Sequence, residues 1–199
     1  NPAGAPRFLT EHGDNLSSWL LHLQTRYSDA FGKIQQVCRD VLPGFVELFT
    51  WPTQQATVSV ASRERDLKRP ISMWQMSDGE LAFIALLSLI LGPDDLAGTL
   101  YCVEEPENHL HPRLLESLME LLRQSQAERE ASELAQIIVT THSPHLIDKT
   151  SLEELIVFEK RQGATAVTYP RDKAHLCELL KNEESGLGEL FYSGALQGG

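Results

Sequence analysis

The sequence predicts an α/β fold in which helices cover both faces of a parallel sheet. Two short apolar segments, 99–104 and 136–141, have the length and composition of strands, and a helical segment from Pro112 to about Gln126 separates them. Strand, helix and strand in this order are typical of neighbouring parallel strands that a right-handed crossover joins. Because the apolar runs do not alternate with polar residues, we expect both strands to be buried on their two faces.

The composition is that of an ordinary globular protein rather than a disordered or fibrous one. Of the 199 residues, 42% are hydrophobic and 23% are charged. The net charge of −11 disfavours a protein whose whole surface binds nucleic acid. The three cysteines form no CxxC pair, which is typical of reduced thiols, and the apolar run from Leu81 to Leu91 is too short to cross a bilayer. We therefore expect a cytoplasmic protein with no membrane partner.

Before the two strands, the pattern predicts two helices and a hairpin. From Leu16 to Cys38, apolar residues recur at spacings of three and four, which indicates helices in series that end before Pro43. Segments 45–51 and 55–61 are rich in β-branched and aromatic residues, and turn-forming residues join them. They read as the two strands of the hairpin.

A charged stretch from Arg63 to Arg69 follows the hairpin. Stretches of this kind are usually solvated loops, and this is the interpretation that we favour. The alternative is a local contact with nucleic acid through the four basic side chains of the stretch, which are Arg63, Arg65, Lys68 and Arg69.

The motifs divide the chain into three regions. Residues 1–70 hold the helical segment and the first hairpin, and residues 71–160 hold the sheet with the candidate site. A second hairpin, with strands at 155–159 and 165–169, leads into the third region, 161–199, where we expect two short helices.

Polar side chains follow both predicted strands, at the edge of the sheet where α/β folds bind ligands. The first strand leads to Glu104 and Glu105, whose side chains point to opposite faces and therefore have different roles. One carboxylate can hold a hydrated Mg²⁺ while the other orients a water molecule for hydrolysis of a phosphate ester. The second strand leads to His142, whose ring can donate a hydrogen bond to a phosphate oxygen.

The segment Met76-Ser77-Asp78-Gly79-Glu80 stands directly before an apolar helix. Ser77 or Asp78 can cap this helix, and Gly79 permits the close approach of another backbone. The helix N-terminus offers N–H groups and a positive dipole to an anion. We therefore expect this segment to bind phosphate.

In this order and at these element boundaries, the motifs resemble the C-terminal half of an ATP-binding-cassette (ABC) ATPase domain. The resemblance is to the SMC-like, RecF-type and OLD-like branch, an AAA family ATPase, and it covers about Ile71 to Phe158. It implies a P-loop NTPase-type sheet, ATP and Mg²⁺ as cofactors, and ATP hydrolysis. It also implies a homodimer around ATP and a role in DNA repair or phage defence, with DNA and a nuclease or other effector as candidate partners.

The resemblance assigns the residues that bind the nucleotide. Met76–Glu80 looks like the ABC signature motif, whose serine and glycine contact the γ-phosphate of ATP bound to the opposite subunit. Residues 107–111 look like the D-loop, which runs along the dimer interface. The nucleotide-binding residues that we expect from these two motifs are Ser77, Asp78, Gly79, Glu80 and Asn108.

The resemblance also assigns the residues of hydrolysis. Leu100–Glu104 looks like the Walker B strand, and Glu104 is expected to bind Mg²⁺ through water. Glu105 matches the catalytic glutamate that polarises the attacking water, and His142 matches the switch histidine that senses the γ-phosphate.

The sequence departs from the family pattern at three points. Glu104 stands where Walker B usually has Asp, and His111 stands where many D-loops have Asp. No G-x-x-x-x-G-K-[ST] motif occurs, so the phosphate cradle and its lysine are missing. Because the chain also begins at Asn1 without Met, we expect a C-terminal half or truncation, which needs a P-loop-bearing N-terminal lobe and does not turn over ATP alone.

Two alternatives stay open. A zinc hydrolase would take its ligands from the nearby carboxylates and from His109, His111, His142 and His145. The first two histidines, however, lie in a loop rather than on one face of a strand. A non-catalytic ABC-like lobe would sense nucleotide and regulate a nuclease or another effector. The presence of Glu105 favours hydrolysis over this second alternative.

Overall fold

The computed structural model describes residues 6–93, 100–127, 136–181 and 186–196 of the chain. Contacts among the residues form two compact units. Unit 1 contains Asn1–Val103 and Asn108–Ile138, and unit 2 contains Glu104–Glu107 and Val139–Gly199. The three regions proposed from the motifs remain a prediction.

The described part of unit 1 contains four α-helices, which include the two predicted near the N-terminus. Their bounds are Leu16–Arg26 (α1), Ser28–Val41 (α2), Asp78–Ile90 (α3) and Pro112–Ala127 (α4). Each helix contributes apolar side chains to the core, among them Leu20, Ile34, Phe83 and Leu118. Among the described residues, no helix is both long enough and apolar enough to cross a membrane.

A buried polar contact joins α1 to α3 in this core. The indole Nε1 of Trp19 donates a hydrogen bond to the hydroxyl of Ser88 at 2.9 Å. The same hydroxyl donates to the carbonyl of Ala85 at 2.6 Å. Because Trp19 is 2% exposed and Ser88 is 0% exposed, water cannot replace the serine as the indole's acceptor.

An antiparallel sheet of three strands also belongs to unit 1. The predicted hairpin is confirmed, with β1 at Phe45–Pro52 and β2 at Val58–Glu64, and a short strand that the sequence did not predict, β3 at Ile71–Ser72, pairs with β2. The charged stretch begins in β2, where Arg63 lies 3.3 Å from Glu47. Its remaining residues, 65–69, are exposed, as expected of a solvated loop.

The strands that carry the candidate site are β4, Leu100–Glu104, and β5, Gln136–Thr140. They are neighbours in a parallel sheet, as predicted, with α4 between them in sequence. The expectation that both faces are covered is wrong for the described residues. Exposure alternates along each strand, and Leu100 and Ile138 are 50% and 48% exposed, because no described element covers that face. Thr99, the predicted first residue of β4, lies outside the described residues.

Unit 2 contains the predicted second hairpin and the two C-terminal helices, preceded by a short helix. In chain order these are α5 at Pro144–Ile147, β6 at Val157–Arg161, β7 at Ala164–Thr168, α6 at Ala174–Lys181 and α7 at Leu187–Tyr192. A carboxylate oxygen of Asp148 accepts a hydrogen bond from the Gly188 N–H at 2.6 Å, which ties the end of α5 to the start of α7. The buried core of the unit consists of Ile147, Leu176, Leu187, Leu190 and Leu196.

Candidate functional site

Ser77 and Glu80 form a reciprocal cap at the N-terminus of α3, in unit 1. The backbone N–H of Glu80 donates to Ser77 Oγ at 3.2 Å, and the backbone N–H of Ser77 donates to a carboxylate oxygen of Glu80 at 2.9 Å. The N–H of Leu81 then donates to the Ser77 carbonyl. The N–H groups of Asp78 and Gly79 therefore stand ahead of the first helical hydrogen bond, where such groups bind anions.

The two acidic residues of this segment, Asp78 and Glu80, both stand where a carboxylate stabilises the start of α3. Glu80 turns back onto Ser77, and Asp78 adds a second carboxylate to the first turn of α3, where negative charge stabilises the helix dipole. The same charge opposes the approach of a phosphate. Among the residues expected to bind phosphate, Ser77 and Gly79 are therefore the better suited.

Gly79 lies against the segment that resembles the D-loop. A Cβ atom at position 79 would stand 2.8 Å from the backbone carbonyl oxygen of His109. Any residue other than glycine would force the two backbones apart at this point. The sequence predicted a close approach at Gly79, and the structure identifies His109 as the residue that approaches.

Glu105 has an unusual backbone conformation in unit 2. Its φ of +41° lies in the left-handed region, which costs a residue with a side chain on the order of 1 kcal/mol or more. Its backbone N–H donates to the carbonyl of Thr140 at 3.0 Å and lies 3.2 Å from the hydroxyl of the same threonine. The end of β5 thus holds Glu105 at the point where the chain turns out of β4.

The two residues predicted to be catalytic lie side by side. Oε1 of Glu105 is 3.7 Å from Nε2 of His142. The Glu105 side chain is 39% exposed and the His142 side chain is 82% exposed, so water and a ligand can reach both. The ends of β4 and β5 therefore present a carboxylate and an imidazole together.

Glu107 is the centre of a hydrogen-bond network that the sequence analysis did not identify. Its Oε1 accepts from the Thr141 hydroxyl at 2.7 Å and from the His142 backbone N–H at 2.6 Å. The Thr141 hydroxyl in turn accepts from the Ser143 N–H at 2.9 Å. Within the described part of the chain, the other carboxylate oxygen, Oε2, is buried and has no hydrogen-bond partner.

This network decides the ionisation of Glu107. Burial alone would raise the pKa of the carboxyl group. Hydrogen bonds from the Thr141 hydroxyl and from the backbone N–H groups of Glu107, His142 and Ser143 act in the opposite direction, and together they lower its pKa below the ordinary value. The side chain is therefore a carboxylate at neutral pH.

The other two predicted site residues, Glu104 and Asn108, are exposed. Glu104 is the last residue of β4, and Asn108 ends the 3-10 turn Pro106–Asn108. Carboxylate oxygens are the hard ligands that Mg²⁺ prefers, and it usually takes one or two of them together with phosphate oxygens and water. The exposed carboxylate of Glu104 at the end of β4 is a donor of the kind that this ion takes, and the remaining ligands would be water and phosphate oxygens.

The structure does not group the histidines that were considered as zinc ligands into a metal site within the described residues. In the ranges that the structure describes, no three His, Cys, Asp or Glu side chains are grouped so that they could hold a metal ion. Nδ1 of His111 instead accepts a hydrogen bond from the Arg113 N–H at 3.3 Å. The backbone carbonyl of His111 accepts one from the Leu114 N–H at 2.8 Å. His111 thus caps the N-terminus of α4.

The family match and the fold support an ATPase module of the ABC/AAA type. The chain belongs to the family described as "AAA domain, putative AbiEii toxin, Type IV TA system", which matches residues 9–148. This range includes the capped N-terminus of α3, Glu105 and His142. The comparison with curated proteins gives no match.

The fold is similar to solved structures of SMC ATPase heads. One, from work on ATP-driven dimerisation and DNA-stimulated activation of SMC ATPases, has a TM-score of 0.57 and 16% identity, and the alignment covers 84% of this chain and 98% of that chain. The Smc head of Pyrococcus furiosus, with an extended coiled coil and bound to the C-terminal domain of ScpA, has a TM-score of 0.59 and 15% identity, with coverage of 88% and 43%.

A third structure, the Smc head of Pyrococcus yayanosii with a coiled coil and joint, has a TM-score of 0.58 and 15% identity, and the alignment covers 83% of this chain and 31% of that chain. This chain therefore spans less than half the length of the two Pyrococcus chains that it matches. At these identities the similarity defines the fold.

Proposed function

We propose that the chain is the part of an ABC/SMC-like ATPase that carries the signature motif, the Walker B strand and the switch histidine. The complete protein dimerises head to tail around ATP, hydrolyses ATP with Mg²⁺, and acts in phage defence or DNA repair through a nuclease or another effector. The observation that carries the proposal is the pairing of Glu105 with His142, 3.7 Å apart. The family's description as a toxin of a type IV toxin–antitoxin system favours defence.

A P-loop-bearing lobe is the first partner in this proposal, because the sequence has no P-loop motif. Exposed apolar side chains support it, since parallel sheets are normally buried on both faces. Leu100 and Ile138 are 50% and 48% exposed on β4 and β5. A covering lobe would gain about 25 cal/mol for each Å² of this apolar surface.

Hydrolysis needs a base beside the attacking water and a donor beside the γ-phosphate. Glu105 accepts the proton of the water as the new bond from the water oxygen to the γ-phosphorus forms and the bond from that phosphorus to the bridging oxygen breaks, with ADP as the leaving group. The hydrogen bond from the Glu105 N–H to Thr140 holds the backbone that carries the carboxylate. Nε2 of His142 donates a hydrogen bond to a γ-phosphate oxygen. Mg²⁺ held by Glu104 through water would supply positive charge to the phosphates.

The N-terminus of α3 serves the ATP that the partner subunit holds. The Ser77 hydroxyl, now 3.0 Å from a carboxylate oxygen of Glu80, donates to the phosphate instead. The N–H groups of Asp78 and Gly79 add to this contact, with the helix dipole behind them.

The test is Glu105→Gln in the complete protein, together with the segment or chain that supplies the P-loop. This change keeps the size of the side chain but removes the base, so we expect ATP binding to persist and turnover to fall about 10²- to 10⁴-fold. Glu153→Gln is a matched control, because Glu153 is an exposed carboxylate of unit 2 that lies 3.9 Å from Arg171. Turnover near the wild-type rate in Glu105→Gln would refute the assignment of the base.

The missing P-loop motif favours one alternative, a module that senses nucleotide without hydrolysing it and regulates a nuclease or other effector. In that case the complete protein binds ATP, and effector output follows ATP occupancy equally in the wild type and in Glu105→Gln. Measuring effector output and phosphate release in the same samples separates the two functions.

A further inference from the structure

We propose that Glu107 is a positioning residue, which holds the segment 141–143 so that the ring of His142 stays beside the carboxylate of Glu105. This inference rests on the proposed function, in which Glu105 acts on the attacking water and His142 acts on the γ-phosphate. It assigns to Glu107, the first residue of the D-loop-like segment, a role that the motif itself does not give.

Packing contributes little to the position of the His142 ring. The side chain is 82% exposed, and its distance of 3.7 Å from Glu105 is longer than a hydrogen bond. The position of the His142 ring therefore depends mainly on the position of the His142 backbone. The backbone N–H of His142 is the group that Glu107 binds, at 2.6 Å.

A single carboxylate oxygen organises three consecutive residues. Oε1 of Glu107 accepts from the Thr141 hydroxyl and from the His142 N–H, and the same hydroxyl accepts from the Ser143 N–H. Hydrogen bonds to an ionised acceptor are about twice as strong as neutral ones. The segment that follows β5 is thus fixed to the segment that follows β4.

A second hydrogen bond connects the segment that follows β4 to the last residue of β5. The N–H of Glu105 bonds to Thr140, and Glu105 keeps a φ of +41°, a conformation that persists only where its surroundings impose it. The residue between the two glutamates, Pro106, is buried and has a restricted φ. The links at Thr140 and His142 together fix Glu105 relative to His142.

A carboxylate at position 107 is more than is needed to connect the two segments. Its Oε2 is buried without a partner among the described residues, which is unfavourable for a carboxylate. A neutral acceptor would connect the two segments without this cost. The stronger hydrogen bonds of a carboxylate account for the ionised side chain, because they hold the Thr141 hydroxyl and the His142 N–H more firmly.

The first experiment uses NMR on this chain to measure the hydrogen bond from the His142 amide to Glu107. In Glu107→Ala, we expect the amide proton of His142 to move upfield and to exchange with solvent at least about tenfold faster, because it loses a charged acceptor. Glu107→Gln retains an acceptor oxygen and restores part of the protection. Glu154→Gln is the matched control, since Glu154 also accepts from a backbone N–H and a hydroxyl, both of Ser151, and it leaves the His142 amide unchanged.

The second experiment measures turnover in the complete protein with its P-loop. We expect Glu107→Ala to lower kcat about 10²-fold through misplacement of His142. KM for ATP changes less than about threefold, because the effect lies in the chemical step. We expect Glu107→Gln to give a kcat between those of the wild type and Glu107→Ala. If Glu107→Ala does not fold, the kcat of Glu107→Gln is the result that tests the inference.

The outcomes separate this inference from the proposed function. If Glu105→Gln loses turnover while both Glu107 variants keep a wild-type His142 amide or a wild-type kcat, the positioning role is overturned and the proposed function stands. If Glu105→Gln turns over ATP at the wild-type rate, the proposed function fails, and the role of Glu107 fails with it.

Discussion

The backbone carbonyl oxygen of His109 lies 2.8 Å from the position that a Cβ atom would take on Gly79. This contact joins the start of α3 to the loop before α4, both in unit 1. The two segments are those that resemble the signature motif and the D-loop. Because the neighbouring atom belongs to the backbone, position 79 has no room for a side chain unless one of the two segments moves.

The first prediction concerns the variant Gly79→Ala. The added methyl group meets a backbone atom that cannot rotate away, so we expect the free energy of unfolding to fall by about 1–3 kcal/mol, as in other overpacked sites. Urea unfolding followed by circular dichroism measures this change.

Gly32→Ala in α2 is the matched control for this variant. Nothing lies within 4 Å of the added Cβ at position 32, and alanine is the better helix former, so we expect a gain of about 0.5–1 kcal/mol. Equal effects of the two substitutions would show that the contact with His109 does not limit position 79.

The second prediction concerns the buried hydrogen bond between Trp19 and Ser88. Ser88→Ala leaves the indole N–H without an acceptor in the core, which we expect to cost about 1–3 kcal/mol of unfolding free energy. In the Trp19→Phe background the same serine substitution costs less, because no indole N–H remains. The measurement is a double-mutant cycle in urea, and additive effects would contradict a coupling between the two side chains.

Local sequence signals predicted several elements of the fold correctly. Ser77 or Asp78 was expected to cap α3, and in the structure Ser77 is the cap, with Glu80 completing a capping box. The first hairpin and the parallel pair of β4 and β5 were also predicted, because strand-forming runs and their intervening turn or helix lie close together in sequence.

Features that depend on distant pairing were not predicted. Glu107 bonds to Thr141, 34 residues away, and no spacing rule indicates which donor a carboxylate after a strand will meet. The two-residue strand β3 is too short for a period to be seen. Within the described residues one face of β4 and β5 is exposed, because an apolar strand indicates what can be buried and not which segment buries it.

The third prediction concerns the pH dependence of stability through Glu107. Its pKa in the folded protein is lowered from the ordinary value of 4.5, so the carboxylate form is favoured by folding. The stabilisation is complete above the unfolded pKa and is lost as the pH falls through the lowered folded pKa. We therefore expect the wild type to be more stable than Glu107→Gln at pH 7, with a difference that shrinks well below pH 4.

Urea midpoints of the two proteins across this pH range measure the effect. Glu153→Gln, at an exposed carboxylate, controls for the general loss of one negative charge in an acidic protein. A difference between the wild type and Glu107→Gln that grows as the pH falls would contradict the sign of the pKa shift.

The fourth prediction uses the cysteines to detect the lobe that covers β4. Burial raises the pKa of the Cys38 thiol to about 12, an effect that the neighbouring Arg39 opposes in part. At pH 8 only about one Cys38 side chain in 10⁴ is then a thiolate, the form that reacts with disulfide reagents. Cys102 is exposed on β4, two residues after Leu100 and on the same face.

In a Cys177→Ser background, we therefore expect one thiol per chain, that of Cys102, to react rapidly with the disulfide reagent. The thiol of Cys38 should react only after unfolding in urea. Addition of the P-loop-bearing lobe should slow the reaction of Cys102 at least about tenfold, because a covering layer excludes both reagent and water from that face. The assay follows release of the coloured thiol from a disulfide reagent, and Cys102→Ser abolishes the fast phase. If Cys102 stays fully reactive in the complete, ATP-binding protein, the face with Leu100 and Ile138 is not where that lobe packs.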